Sequence, residues 1–196
     1  MPTALISVFN KDGIIPFADT LVNLGWDIVS SGGTTKVLAE AGISVKDVAD
    51  ISGLPAVLGH RVVTLVPHIH GGLLATEEMR PELEELGYPW IDLCCVDFYP
   101  LQEAVDSPNA TTESVIEKTD IGGPTMVRSA AKGGRIVVVD PYDRQRVLAW
   151  IKAGKPDAVE FKLILAAKAE GIVADYCLTA AKFHSEGTIS GEIYLY

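Results

Sequence analysis

The chain has 196 residues, 48% of them hydrophobic and 21% charged, with a formal net charge of −10. That is apolar material enough for one buried core and too much for a disordered polymer, and the acidic balance argues against the general surface binding a nucleic-acid backbone, whose affinity comes from clustered lysine and arginine. No apolar run approaches the roughly 20 residues that a bilayer span needs, and "MPTALISVFNKDG" has neither a basic n-region nor a cleavage site, so the expectation is a cytoplasmic protein without membrane or nucleic-acid partners.

In chain order, "TALISV" (3–8) is a short apolar strand, and Ile14, Phe17, Ala18, Leu21 and Leu24 then recur at helical spacing up to a stop at Gly25. "WDIVSS", the turn "GGTT" and "TKVLAEAG" repeat the strand, turn and helix, and "ISVKDV" is a third short strand. The stretch 50–75 reads as irregular; "EEMRPELEELG" reads as a surface helix, "WIDLCCVDF" and "RIVVVD" as buried strands, and "PYDRQRVLAWIKAG" as a helix with proline in its first turn. From about 156 the chain is mostly one long helix, expected to pack back on the sheet or on a second subunit. This alternation predicts an α/β fold: a mostly parallel sheet with helices on both faces and ligands at the carboxyl ends of its strands. A single domain is expected over 1–196, an α/β core to about 140 followed by a helical extension from about 141. The three cysteines make no even framework, and Cys94, Cys95 and Cys177 are all expected to be core thiols.

The chemistry is expected in the loops after the strands. "SSGGTTK" follows a strand and opens a helix, so Gly32 and Gly33 can offer backbone N–H groups to an anion while Ser31 and Thr34 add hydroxyls; an ordinary tight turn with a threonine N-cap fits the same residues. Lys11 follows the first strand at the same sheet edge, and "HRVVTLVPHIHGG" adds Arg61 and Thr64. His68 and His70 alternate with no thiol or carboxylate beside them, a weak ligand set, so neither a metal nor another cofactor is expected. "DIGGPTMVRSAAK" (120–132) concentrates Asp120, two glycines, Arg128 and Lys132 at what reads as a helix start. Taken singly, Asp120 reads as an N-cap and Tyr99 as a core residue.

"SSGGT", "RVVTLVP", "HGG", "DFYP", "DIGGPTMVRSAAK" and "LAAKA", in this order and spacing, resemble the IMP cyclohydrolase domain, the N-terminal half of the bifunctional purine-biosynthesis proteins whose other half is an AICAR formyltransferase. The resemblance runs from about 3 to 183 and implies a methylglyoxal-synthase-like α/β fold, a homodimer, and closure of the formylated carboxamide ribonucleotide FAICAR to IMP with loss of water. No formyltransferase half is present in these 196 residues, so the expectation is either a standalone cyclohydrolase, with a separate formyltransferase as a candidate partner, or a domain excised from a longer protein. The resemblance also implies roles: Asp120 and Lys132 as acid and base, Tyr99 linked to that lysine in proton transfer, Ile121 and Gly122 as backbone oxyanion donors, and Lys11, Ser31, Gly32, Gly33, Thr34, Arg61, Thr64 and Asp97 around the ribonucleotide and its phosphate.

The departures from that pattern concern the same loops. Where the family reads "SVSDKTG" this chain has "SVFNKDG", bringing in Phe9 and Asn10; where it reads "GRVKTLHP" this chain has "HRVVTLVP", with Val63 for an active-site lysine and Val66 for a histidine; "NLYP" becomes "DFYP", with Asp97 for asparagine. Valine cannot donate to an oxyanion, and losing one such donor typically costs about 10²–10³ in rate. Three readings follow: a cyclohydrolase using its remaining groups, a paralogue closing a ring on a related ribonucleotide as a nucleoside-antibiotic pathway requires, and a catalytically silent nucleotide-binding module.

Overall fold

The structure, a computed structural model, describes residues 1–58 and 62–185; Arg61 lies outside them. Five strands, β1 (Thr3–Ser7), β2 (Asp27–Ser30), β3 (Lys46–Asp47), β4 (Leu93–Val96) and β5 (Ile136–Val138), form one sheet in the order β3-β2-β1-β4-β5. Every pairing is parallel, with Leu5 opposite Val29 on one side and Cys94 on the other. The chain winds outward from β1 to β3, then crosses to β4, so the carboxyl ends of β1 and β4 diverge at the point where such sheets hold ligands.

The interior of β1 (Ala4, Leu5, Ile6) and all of β4 and β5 are apolar because both faces are covered. Ala4, Ile6, Leu93, Cys95, Ile136 and Val138 face one core. Their alternates Leu5, Cys94, Val96, Val137 and Val139 face the other, as the two-residue strand period demands. The first core is closed by α1 (Ile14–Asn23), α2 (Gly32–Glu40) and α9 (Asp143–Lys152). Against the second lie α3 (Val48–Ser52), α4 (Pro67–Leu74) and α8 (Gly122–Lys132). The connecting segments hold a 3-10 turn (Glu77–Met79) and the short helices α5 (Arg80–Glu85), α6 (Leu101–Val105) and α7 (Thr112–Lys118).

The 27-residue α10 (Ala158–His184) packs back on the sheet of its own chain, against β5 and α8. Leu165 enters the first core and Ala169 and Val173 the second, so α10 wraps the β5 edge and shields a strand whose outer hydrogen-bonding groups would otherwise be open to pairing. Phe161 stacks on Trp150 of α9 at 4.4 Å, locking the start of α10 to the first layer.

Three expectations are corrected. The 50–75 stretch is not wholly irregular, for it contains most of α3 and all of α4. The weak periodicity of "PHIHGGLL" hid α4, which is held by packing: a Cβ on Gly72 would collide with the Pro89 carbonyl and sit 3.1 Å from Ile91. Of "ISVKDV" only Lys46–Asp47 pairs as strand, because Asp47 caps α3 by accepting from Ala49 N–H (2.8 Å) and ends the extended run. Cys94 and Cys95 are buried on opposite faces, but Cys177 is exposed, since the packed stripe of α10 steps from Val173 to Tyr176, Ala180 and Phe183 and leaves position 177 outward.

Candidate functional site

The carboxyl ends of β1, β2 and β4 open into one cavity of about 660 Å³, closed by residues 63–65, the end of α7 and the start of α8. Its floor is a set of hydroxyl ties between neighbouring strand ends. Ser30 Oγ donates to the Ile6 carbonyl (2.6 Å), and Ser31 and Ser7 share a hydroxyl hydrogen bond of 3.1 Å. Thr34 Oγ1 accepts from Val8 N–H (3.2 Å) and donates to Val8 C=O (3.1 Å), so this buried hydroxyl latches α2 to the end of β1.

What remains for a ligand anion on this side is backbone. Gly32, at φ +53°, and Gly33 open the first turn of α2, and no atom lies within 4 Å of where their Cβ atoms would be. Unbonded first-turn N–H groups and the helix dipole make such a terminus a seat for an anion. Lys11 lines the same wall, its ammonium donating to the carbonyls of Val8 and Phe9 (the latter at 3.2 Å) and keeping a third N–H. Burial holds its pKa below the ordinary lysine value, with Asp97 pulling the other way.

Asp97 lines the cavity, but its carboxylate is committed to the protein. Oδ1 accepts from the N–H groups of Phe9 and Asn10 (the latter at 3.1 Å), and Oδ2 accepts from the Arg144 guanidinium at 3.3 Å. Asn10 and Asp97, two of the positions that depart from the resembled pattern, are therefore in contact. Burial pushes the Asp97 carboxyl above its ordinary value, opposed by those N–H groups, Arg144 and Lys11.

Across the cavity, α8 begins where Asp120 turns its carboxylate back on the chain: Oδ1 accepts from Gly123 N–H at 3.0 Å, and Asp120 N–H donates to Tyr176 Oη at 2.6 Å. Glycine is required here by contact. A Cβ on Gly123 would lie 2.5 Å from Asp120 Oδ2 and 2.7 Å from the Phe98 ring, and one on Gly122 would lie 2.8 Å from Thr64 Oγ1. Burial raises the Asp120 pKa above that of a free aspartate, against the pull of Gly123 and Gly122 N–H. The N-cap reading of Asp120 thus describes its geometry, and the same placement puts a partly desolvated carboxyl on the cavity wall.

Tyr99 stands at the mouth, edge-on to Phe9 with centroids 4.8 Å apart, and the Lys118 ammonium lies over its ring at 5.3 Å. Val63, Thr64, Ile121 and Gly122 also line the cavity, whereas Val66 is buried at the N-cap of α4. Lys132 does not line it: it is exposed at the last turn of α8, ten residues beyond Gly122, which at about 1.5 Å per residue is roughly 15 Å away. His68 packs against Tyr88 at 4.3 Å, and His70 Nδ1 pairs with Ser129 Oγ at 2.9 Å. Among the described residues no helix is long and apolar enough to cross a membrane.

The cavity therefore joins an anion seat at α2 and Lys11 to a half-buried carboxyl, with Phe9, Tyr99, Val63 and Ile121 giving an apolar and aromatic rim between them. Sequence reasoning missed Lys118, Arg144 and Tyr176. None lies in a glycine-rich loop, and only Lys118, two residues before Asp120, carries even a positional hint.

Comparison with known proteins gives a consistent result. A family model described as MGS-like domain matches residues 13–125. The chain is 44% identical over 192 residues to the bifunctional purine biosynthesis protein PurH of Lactobacillus delbrueckii subsp. bulgaricus, covering 95% of this chain and 37% of that protein. It is 48% identical over 171 residues to PurH of Shouchella clausii, covering 84% and 34%. It spans little more than a third of the length of these curated relatives and corresponds to their N-terminal part. Among solved structures, the crystal structure of ForH superposes with a TM-score of 0.84 at 37% identity, covering 96% of this chain and 99% of that one.

Proposed function

The chain belongs to the MGS-like domain family, and on that premise we propose that it is an IMP cyclohydrolase acting in purine biosynthesis, closing FAICAR to IMP with loss of water. The observation that carries the reading is that one cavity holds both the open N-terminus of α2 and the half-buried carboxyl of Asp120. The ribonucleotide's phosphate sits at Gly32, Gly33, Ser31 and Lys11, with Thr64 beside it. The base extends along Phe9, Tyr99 and Val63 towards α8.

In the reaction the carboxamide nitrogen attacks the formyl carbon, forming the C–N bond, and the formyl oxygen becomes the hydroxyl of a carbinolamine. One proton leaves the attacking nitrogen and one the formamido nitrogen; both end on that oxygen, which departs as water as the C=N bond forms. An amide nitrogen is a weak nucleophile, so positioning and proton management supply the rate. Asp120 takes the proton from the attacking nitrogen, and its raised pKa brings it nearer to that task at neutral pH. The backbone N–H groups of Ile121 and Gly122 face the developing oxyanion. Tyr99 and the ammonium beside it deliver the proton to the leaving oxygen. That ammonium is Lys118 in this reading, because Lys132 stands at the far end of its helix. The protein works in the cytoplasm as a homodimer on a substrate that a formyltransferase supplies.

Val63 on the cavity wall favours one second reading, ring closure on a related ribonucleotide whose base tolerates an apolar contact where the resemblance expects a lysine. Incubation with FAICAR, with IMP followed by absorbance and mass, separates the possibilities. IMP formation supports the cyclohydrolase; IMP binding without turnover of FAICAR refutes it and leaves the paralogue or a silent binding module.

A further inference from the structure

Arg144 is 4% exposed, a burial that an arginine reaches only when its charge is matched. From α9 its guanidinium crosses to the sheet's ligand edge. There it donates to the Asp12 carbonyl at 2.6 Å and to Asp97 Oδ2 at 3.3 Å, and it faces the Cys95 thiol, while Nε is buried without a partner. Asp97 in turn holds the N–H groups of Phe9 and Asn10. The loop between β1 and α1 is thus tied at residues 9 and 10 through Asp97 and at residue 12 directly. Lys11, which points its ammonium along the cavity wall, lies between the two ties.

We propose that Arg144 is a positioning residue for the anion site: by clamping Asp97 and the Asp12 carbonyl it fixes the loop that presents Lys11 to a ligand phosphate. The clamp also acts through charge. Asp97 alone would cancel Lys11 beside an incoming dianion, and Arg144 restores the net positive charge of the cluster. Breaking one side of a buried pair leaves an uncompensated charge, whereas removing both sides does not. The inference rests on reading the cavity as a nucleoside monophosphate site.

The test uses the full chain, with IMP and inosine as calorimetric probes and backbone amide exchange as a ligand-free readout of the loop. Arg144→Met is expected to weaken IMP binding about tenfold, the scale of one charge-assisted contact, to leave inosine binding within twofold, and to speed exchange at Phe9 and Asn10. Arg144→Lys, which keeps the charge but cannot reach both partners with one fork, is expected to fall between. The double variant Arg144→Met/Asp97→Asn is expected to recover part of the lost IMP affinity, since the charge balance of the cluster is restored while the tie to the Asp12 carbonyl stays broken. Equal weakening of IMP and inosine, no recovery in the double variant, or unchanged exchange at Phe9 and Asn10 overturns the inference. A wild-type protein that fails to bind IMP refutes the nucleotide reading instead, and the exchange measurement still decides whether Arg144 holds the loop.

Discussion

Asp120→Asn separates the two roles that Asp120 combines. In the structure one carboxylate oxygen accepts from Gly123 N–H at 3.0 Å, and an asparagine oxygen placed there keeps that bond. Asparagine caps helices about as well as aspartate, so the loss is confined to the weaker pull on Gly122 N–H, roughly 0.5 kcal/mol. At about 2–4 °C per kcal/mol for a chain of this size, the melting temperature should move by no more than about 2 °C. The carboxyl also carries a pH signature. Its folded pKa is raised, chiefly by burial, so its stabilising contribution is complete below the ordinary carboxylate value and is lost as pH rises through the folded value. The stability of the variant relative to wild type should therefore improve as pH rises from below that window to neutrality. Turnover behaves differently: an amide cannot take the proton, and loss of a general base costs about 10²–10⁴ in rate, or roughly 3–5 kcal/mol of barrier. Thermal melts from pH 3 to 8 beside steady-state IMP formation measure both. FAICAR turnover within threefold of wild type in a well-folded variant would remove Asp120 from the chemistry and leave it a helix cap.

Lys118→Met should reduce FAICAR turnover by about tenfold or more at nearly constant IMP affinity, and Lys118→Arg, which keeps the charge but cannot release a proton, should restore little of it; steady-state kinetics with product calorimetry checks both. Thr34→Val leaves the buried N–H and C=O of Val8 without their hydroxyl partner. It should cost about 1–3 kcal/mol by denaturant unfolding, against little change for an exposed threonine such as Thr112. Val63→Lys returns an ammonium to the cavity wall and should raise FAICAR turnover. An unchanged rate in a variant whose structure shows that ammonium beside the ligand would mean that the missing lysine does not limit the enzyme.

Local patterns carried the architecture because they report local forces. The apolar strand interiors, the helical spacing from Ile14 to Leu21 and the glycines after β2 each state a burial or a backbone need within a few residues, and the parallel sheet and its loaded edge follow from their alternation. The same local reading misses α4, whose weak periodicity is rescued by close packing of Gly72 on Pro89 and Ile91. It also groups Lys132 with Asp120 because they share a motif, although the rise of α8 alone sets them roughly 15 Å apart. Which ammonium meets Tyr99, and which arginine neutralises Asp97, are settled between elements distant in the chain: Arg144 lies 47 residues from Asp97 and 132 from Asp12. Periodicity determines which residues are buried and where strands end, since those follow from covalent geometry and hydrophobicity over one or two turns. Only the winding of the sheet, which brings the ends of β1, β2 and β4 to one cavity and α9 alongside α1, decides which charges meet, because a charge at van der Waals distance acts through space without regard to its place in the chain.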